Sequence, residues 1–187
     1  DGSANPKWIA ADLLSQAEHD PRAAVFLITP DKDFGLAVQK EMEKQMKELS
    51  RYEIMKTSVN QYAKAFLCKD AEQCFDIVNK IAPEHLEVEL PDPKKYLPLI
   101  YNAGAIFLGK YTSEPIGDYM AGPNHTLPTS GTAAFSSPLG VYDFVKHSSV
   151  ECYSEEAFRK ISKKVQLFAK AEGLTAHAHA MEVRDED

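Results

Sequence analysis

Basic residues are in the minority: 21 Lys and Arg stand against 28 Asp and Glu, for a formal charge of -7. Nucleic acid and anionic membrane surfaces both need a basic face, so neither is expected as a partner. Long apolar runs are missing too. The longest, Ala23 to Ile28, falls far short of the roughly 18 residues that cross a bilayer. Cys68, Cys74 and Cys152 form no CxxC pair and leave an odd count, which argues against a disulfide framework and against a thiolate zinc site. Free buried thiols in a reducing, cytoplasmic setting are the expectation. No cleavable targeting segment opens the chain. No G-x-G-x-x-G occurs either, because Gly35, Gly104 and Gly109 are too scattered, so a dinucleotide site has no direct sign here.

What the chain does have is a stretch rich in turn formers. Glu114 to Gly140 holds Gly117, Gly122, Gly131 and Gly140 with Pro115, Pro123, Pro128 and Pro138, a composition that predicts a long loop. Connections beyond about 12–15 residues are usually functional or disordered. Tyr119, Met120, Leu127, Phe135 and Leu139 supply apolar anchors that disfavour disorder. A packed loop carrying Asp118, Asn124, His125, Ser130 and Thr132 reads as a site, with a purely structural omega loop as the alternative.

Around it the pattern is α/β. Asn5-Pro6 starts a helix that Pro21 ends, with Gln16 and His19 three apart on one face. Ala23 to Ile28 predicts a buried strand, and Asp31 to Leu49 an amphipathic helix. A strand at Lys64 to Cys68 closes a βαβ unit with a parallel sheet. A helix from about Asp70 stops where Pro83 forces Ala82 out of helical geometry, which leaves Glu84 and His85 on a turn. Strands are expected at His85 to Leu90 and Ala103 to Leu108, separated by a short helix. Ser154 to Glu172 predicts a capped helix ended by Gly173, with a narrow stripe of Phe158, Ile161, Val165 and Phe168 that suits a partner subunit. By residue type alone, Gln16 and His19 fit a solvated helix end, and Glu84-His85 fits a hydrogen-bonded turn.

Four segments change that reading. AGAIFLGKYTSEPIGDYMAGPNHTLPTSGTAAFSSPLGVYDFVK (103–146), LLSQAEH (13–19), APEHLE (82–87) and EGLTAHAHAMEV (172–183) together resemble the histidinol dehydrogenase family, and the similarity runs over essentially the whole chain. Ala134 and His147 depart from residues common in the family's signature. The resemblance implies an incomplete Rossmann-like parallel sheet flanked by helices over 1–140. It implies a C-terminal helical arm over 141–187 that dimerises and completes the neighbouring subunit's site in trans.

It also implies roles. Gln16, His19, Asp118 and His177 are matched to zinc ligands, and Glu84 and His85 to the catalytic pair. Substrate contacts are matched to Gln16, His19, His85, Asp118, His125, Glu172 and His177, while His179 is a bystander. The implied reaction oxidises histidinol to histidinal and then to histidine with NAD, whose site is expected in a part N-terminal to this chain. The compartment is cytoplasmic, or plastid in a plant. Two imidazoles, one carboxylate and one amide oxygen leave a metal able to accept neutral nitrogen donors from the substrate. The alternatives are a noncatalytic zinc-binding or dimerisation fragment of that enzyme and a zinc hydrolase using Glu84.

Overall fold

The computed structural model describes residues 1–186 as two compact units, Asp1–Phe144 and Val145–Asp187. In the first, α1 (Pro6–Ala17) starts at Asn5, whose side chain accepts from the Lys7 N–H, with proline in the opening turn where its missing donor costs nothing. Strand β1 (Phe26–Thr29) leads to α2 (Lys32–Gln45), capped by Asp31. The sequence predicts one helix before the next strand, yet there are two. After a 3-10 turn at Met46–Glu48 the chain folds again into α3 (Tyr52–Tyr62). Its buried Met55 packs with Leu14, Ala17 and Val25, and Ser58 donates to the Ala23 carbonyl at 2.8 Å. Strand β2 (Lys64–Leu67) then pairs parallel with β1.

Helix α4 (Ala71–Ile81) has reciprocal capping: the Asp70 side chain accepts from Gln73 N–H at 2.9 Å, and Gln73 Oε1 accepts from Lys69 N–H at 2.7 Å. It packs Phe75 and Val78 against Leu86 and Val88 of β3 (His85–Val88), which pairs parallel with β4 (Ala105–Leu108). Between these strands runs a 3-10 segment, Pro93–Leu99. Buried Asn79 of α4 anchors the chain just beyond that segment: its Nδ2 donates to Leu99 O at 2.8 Å, and its Oδ1 accepts from the N–H groups of Tyr101 and Asn102.

Parallel pairing and flanking helices make this an α/β fold of the expected class. The strand placed at Ala23–Ile28 shifts to Phe26–Thr29 and is only half-buried over its first three residues. Its inner edge and that of β3 line one open groove of about 910 Å³, and among the described residues neither inner edge pairs with another strand.

The stretch at 114–140 also departs from expectation. It opens not as loop but as α5 (Glu114–Tyr119), because Ser113 and Pro115 are helix-starting residues and Gly117 sits in a turn too short to suffer from it. The remainder is irregular, with a 3-10 turn at Thr132–Ala134 and Gly122, Ser130 and Gly131 at positive φ. Of the cysteines only Cys68 is buried, while Cys152 is exposed, so the expectation of buried thiols holds for one of the three.

The second unit is a helical hairpin. Helix α6 (Glu155–Ala171) is capped by Ser154, the chain turns at Gly173 with φ 75°, and α7 (Thr175–Asp185) comes next. The apolar stripe expected to suit a partner subunit is not the most buried face of α6, with Phe158 and Ile161 half-buried. Ser162, Gln166 and Ala169 are buried, and Ser162 Oγ and Gln166 Nε2 both donate to Asp185 Oδ2, at 2.8 and 2.7 Å. Val165 and Phe168 stay exposed.

Candidate active site

Glu84 and His85 are held by the way α4 ends. Ala82 takes a left-handed conformation (φ 49°, ψ 63°) with its N–H on Val78 O, and Pro83 prevents any further helical turn. Gly104 N–H donates to Pro83 O at 2.9 Å and Ala105 N–H to Glu84 O at 2.8 Å, so the start of β4 clamps the turn. Only glycine fits there. A Cβ at Gly104 would lie 2.6 Å from the Glu84 carbonyl oxygen. His85 is then the first residue of β3, its ring tilted against Phe107 at 6.1 Å between centroids. Burial pushes its pKa down; Glu84 and Asp118 pull upward against that, and His19 adds to the depression. The result is an imidazole that stays neutral and able to take a proton.

Facing it is α5. Its first N–H, from Glu114, would be an orphan donor, but Glu87 Oε1 of β3 accepts it at 2.7 Å. Glu114 and Asp118 are four residues apart and therefore share a helical face. Gly117 lets that helix close on β4, since a Cβ there would meet the Phe107 ring at 2.6 Å. In consequence one potential ligand atom each from His85, Glu114 and Asp118 lie within 4.8 Å of one another. His85 Nε2 is 3.7 Å from Glu114 Oε1.

Acidic groups crowd behind this cluster. Burial, then the neighbouring Asp118, raises the Glu114 carboxyl to about 7. Burial, then Asp12, raises Glu87 to about 8. Asp12 itself is raised by burial, against the hydrogen bonds of Ser113 and Glu87. Carboxyl groups gathered at low dielectric without a compensating cation hold protons they would otherwise lose. Imidazole and carboxylate are donors that zinc accepts, so this trio fits a divalent metal.

The sequence-derived residues fall into three groups. His85 and Asp118 stand together in the trio, and Gln16, in the last turn of α1, lines the same groove as Glu84, His85 and Glu114. His19 is not on the helical face expected of it. Helix α1 ends at Ala17, and His19 sits exposed on the following turn, with its N–H on Gln16 O at 3.2 Å; it lies outside the trio but close enough to act on His85. His125 is exposed on irregular chain and does not line the groove. Glu172, at the end of α6, and His177, in the first turn of α7, are exposed residues of the second unit. Glu114 and Glu87 are the site residues that the sequence reading passes over. The helix-start signal at Ser113-Glu114-Pro115 could have found the first.

Comparison with known proteins adds a family. The family model described as histidinol dehydrogenase matches residues 1–185. The histidinol dehydrogenase of Aquifex aeolicus (strain VF5) is 52% identical over 187 residues, all of this chain and 44% of that protein. That of Listeria monocytogenes serotype 4b (strain F2365) is 53% identical over the same span, again 44% of its length. The crystal structure of histidinol dehydrogenase from Elizabethkingia anophelis superposes with a TM-score of 0.92 at 36% identity, covering 98% of this chain and 42% of that one. The chain therefore spans less than half the length of the relatives it matches.

Proposed function

Because the chain belongs to the histidinol dehydrogenase family, we propose that it is part of an enzyme that oxidises L-histidinol through L-histidinal to L-histidine, the closing step of histidine biosynthesis. The observation that carries this reading is the convergence of His85, Glu114 and Asp118 within 4.8 Å, with His85 and Glu114 lining the groove that Glu84 and Gln16 also line. An imidazole kept neutral by burial, next to carboxylates, suits proton removal from an alcohol.

In this reading His85 accepts the hydroxyl proton as hydride passes from the carbinol carbon to NAD, with His125 in support, and a second NAD takes the hydride of the aldehyde hydrate. Glu84 takes the proton from water as it adds to the aldehyde. Gln16, His19 and Asp118, with His177 contributed by a second subunit, would hold zinc, which when bound would supply a template for the imidazole and amine nitrogens of histidinol. Glu172 would contact substrate from the same arm. Residues 1–140 serve as the catalytic portion and 141–187 as the dimerising arm, and NAD is held mostly by parts of the protein outside this chain.

The span of 44% of the relatives' length favours one second reading, a zinc-binding or dimerising fragment without turnover. Histidinol-dependent NADH formation, assayed with zinc on this chain alone and on the chain mixed with the remainder of the protein, tests both. Turnover in the mixture supports the enzyme. Zinc binding with no turnover in either supports the fragment.

A further inference from the structure

We propose that Glu114 is a positioning residue of this site, a carboxyl group set between His85 and Asp118 that fixes the orientation of both; the inference rests on the function proposed above. Neither motif spacing nor resemblance gives Glu114 a role. Its geometry does. Glu114 Oε1 lies 3.7 Å from His85 Nε2, with Asp118 in the same 4.8 Å cluster. Its side chain is 10% exposed and that of His85 16%, although glutamate is rarely buried without a partner. His85 is the only basic side chain within 4 Å of it among the described residues, so the carboxyl group is not there to neutralise a lysine or arginine.

Its mounting is rigid. Glu87 Oε1 takes the Glu114 N–H at 2.7 Å, and Gly117 seats the same helical turn against Phe107, which fixes Glu114 and Asp118 one turn apart on the face toward His85. The 3.7 Å separation is just beyond hydrogen-bond reach, and such contacts commonly tighten once substrate is bound. On its second side the same carboxyl group restrains Asp118, the role that groups behind a metal ligand usually play.

The test uses the full-length protein with Glu114→Gln, which keeps shape and removes the acid, Glu114→Ala, which removes both, and Glu114→Asp as partial rescue, each checked for folding by circular dichroism. Expected are wild-type zinc content by elemental analysis at saturating zinc, where Gln16, His19, Asp118 and His177 would still supply the ligands, and a kcat lowered about 10–100-fold in Gln and Ala, with KM little changed and part of the loss recovered in Asp. The ring-nitrogen NMR signals of His85 should move in Gln and Ala while those of exposed His147 stay in place. Wild-type kcat in Ala would overturn the proposal. So would loss of zinc from Gln, which would make Glu114 a ligand instead. Unmoved His85 signals would overturn it as well, and that measurement needs no turnover. It therefore decides on Glu114 even where the wild-type protein fails to oxidise histidinol, the result that would remove the proposed function itself.

Discussion

At the scale of single residues, adjacency of Glu84 and His85 matters because one lies on the turn and the other opens β3, so the two neighbours are not bound to opposite faces as they would be within a strand. Glu84→Gln is expected to leave histidinol oxidation largely intact and slow histidinal turnover by about 10²–10⁴, as removal of a positioned base does. Rapid-mixing kinetics of the two half-reactions will read this; equal loss in both would assign Glu84 elsewhere. Asp118→Ala removes the carboxylate matched to zinc, and elemental analysis should find the metal lost. By type and spacing alone Gln16, His19, Glu84 and His85 read as a solvated helix end and a hydrogen-bonded turn; the resemblance singled out His85 and Asp118, which the structure brings together. Glu114 was not legible, since nothing in its immediate neighbours says that His85 is 3.7 Å away.

At the scale of elements, the site depends on two helix ends. Helix α4 must stop at Ile81 so that Glu84 emerges on the turn and His85 opens β3, and Asn79 ties that end to residues 99–102 through hydrogen bonds. Asn79→Ala strands a carbonyl and two N–H groups, and is expected to cost about 2–3 kcal/mol in urea denaturation. Helix α5 must lie close on β4. Gly117→Ala pushes a methyl against the Phe107 ring, with an expected loss of about 1–3 kcal/mol and weaker zinc binding as Asp118 is displaced. The caps at Asn5, Asp31, Asp70 and Ser154 announce their helices in sequence because capping is a local transaction between neighbours. Helix α5 was hidden because glycine and proline content, averaged over 27 positions, overrides a six-residue helix.

At the scale of the molecule, buried acids make stability depend on pH. Glu87 and Glu114 have folded-state values of about 8 and about 7, raised from 4.5, so between about 4.5 and 8 these two carboxyls bind more protons in the folded chain than in the unfolded one, while His85, lowered from 6.5, opposes them with a single site. Their contribution is therefore fully present below about 4.5 and is lost as pH rises toward 8. Thermal denaturation of the metal-free chain should give a lower midpoint at pH 8 than at pH 5, and Glu87→Gln should flatten that slope. An unchanged midpoint in the wild-type chain would mean that these carboxyls are not buried as described. Asp185, lowered first by its hydrogen bond with Lys163, acts in the opposite sense and only near or below 3.8, outside this window.

The sequence by itself determined the α/β class, most helix starts and stops, and the motifs that place the chain in its family, because each is written in neighbouring residues. Only the tertiary structure decided that α3 intervenes between β1 and β2, that polar Ser162 and Gln166 rather than the apolar stripe face inward on α6, and that a glutamate at the start of α5 meets a histidine at the start of β3. The reason is physical. Met55 of α3 packs on α1, Ser162 and Gln166 meet Asp185 of α7, and Glu114 meets His85 once Gly117 seats α5 on Phe107; no local spacing encodes such contacts between elements.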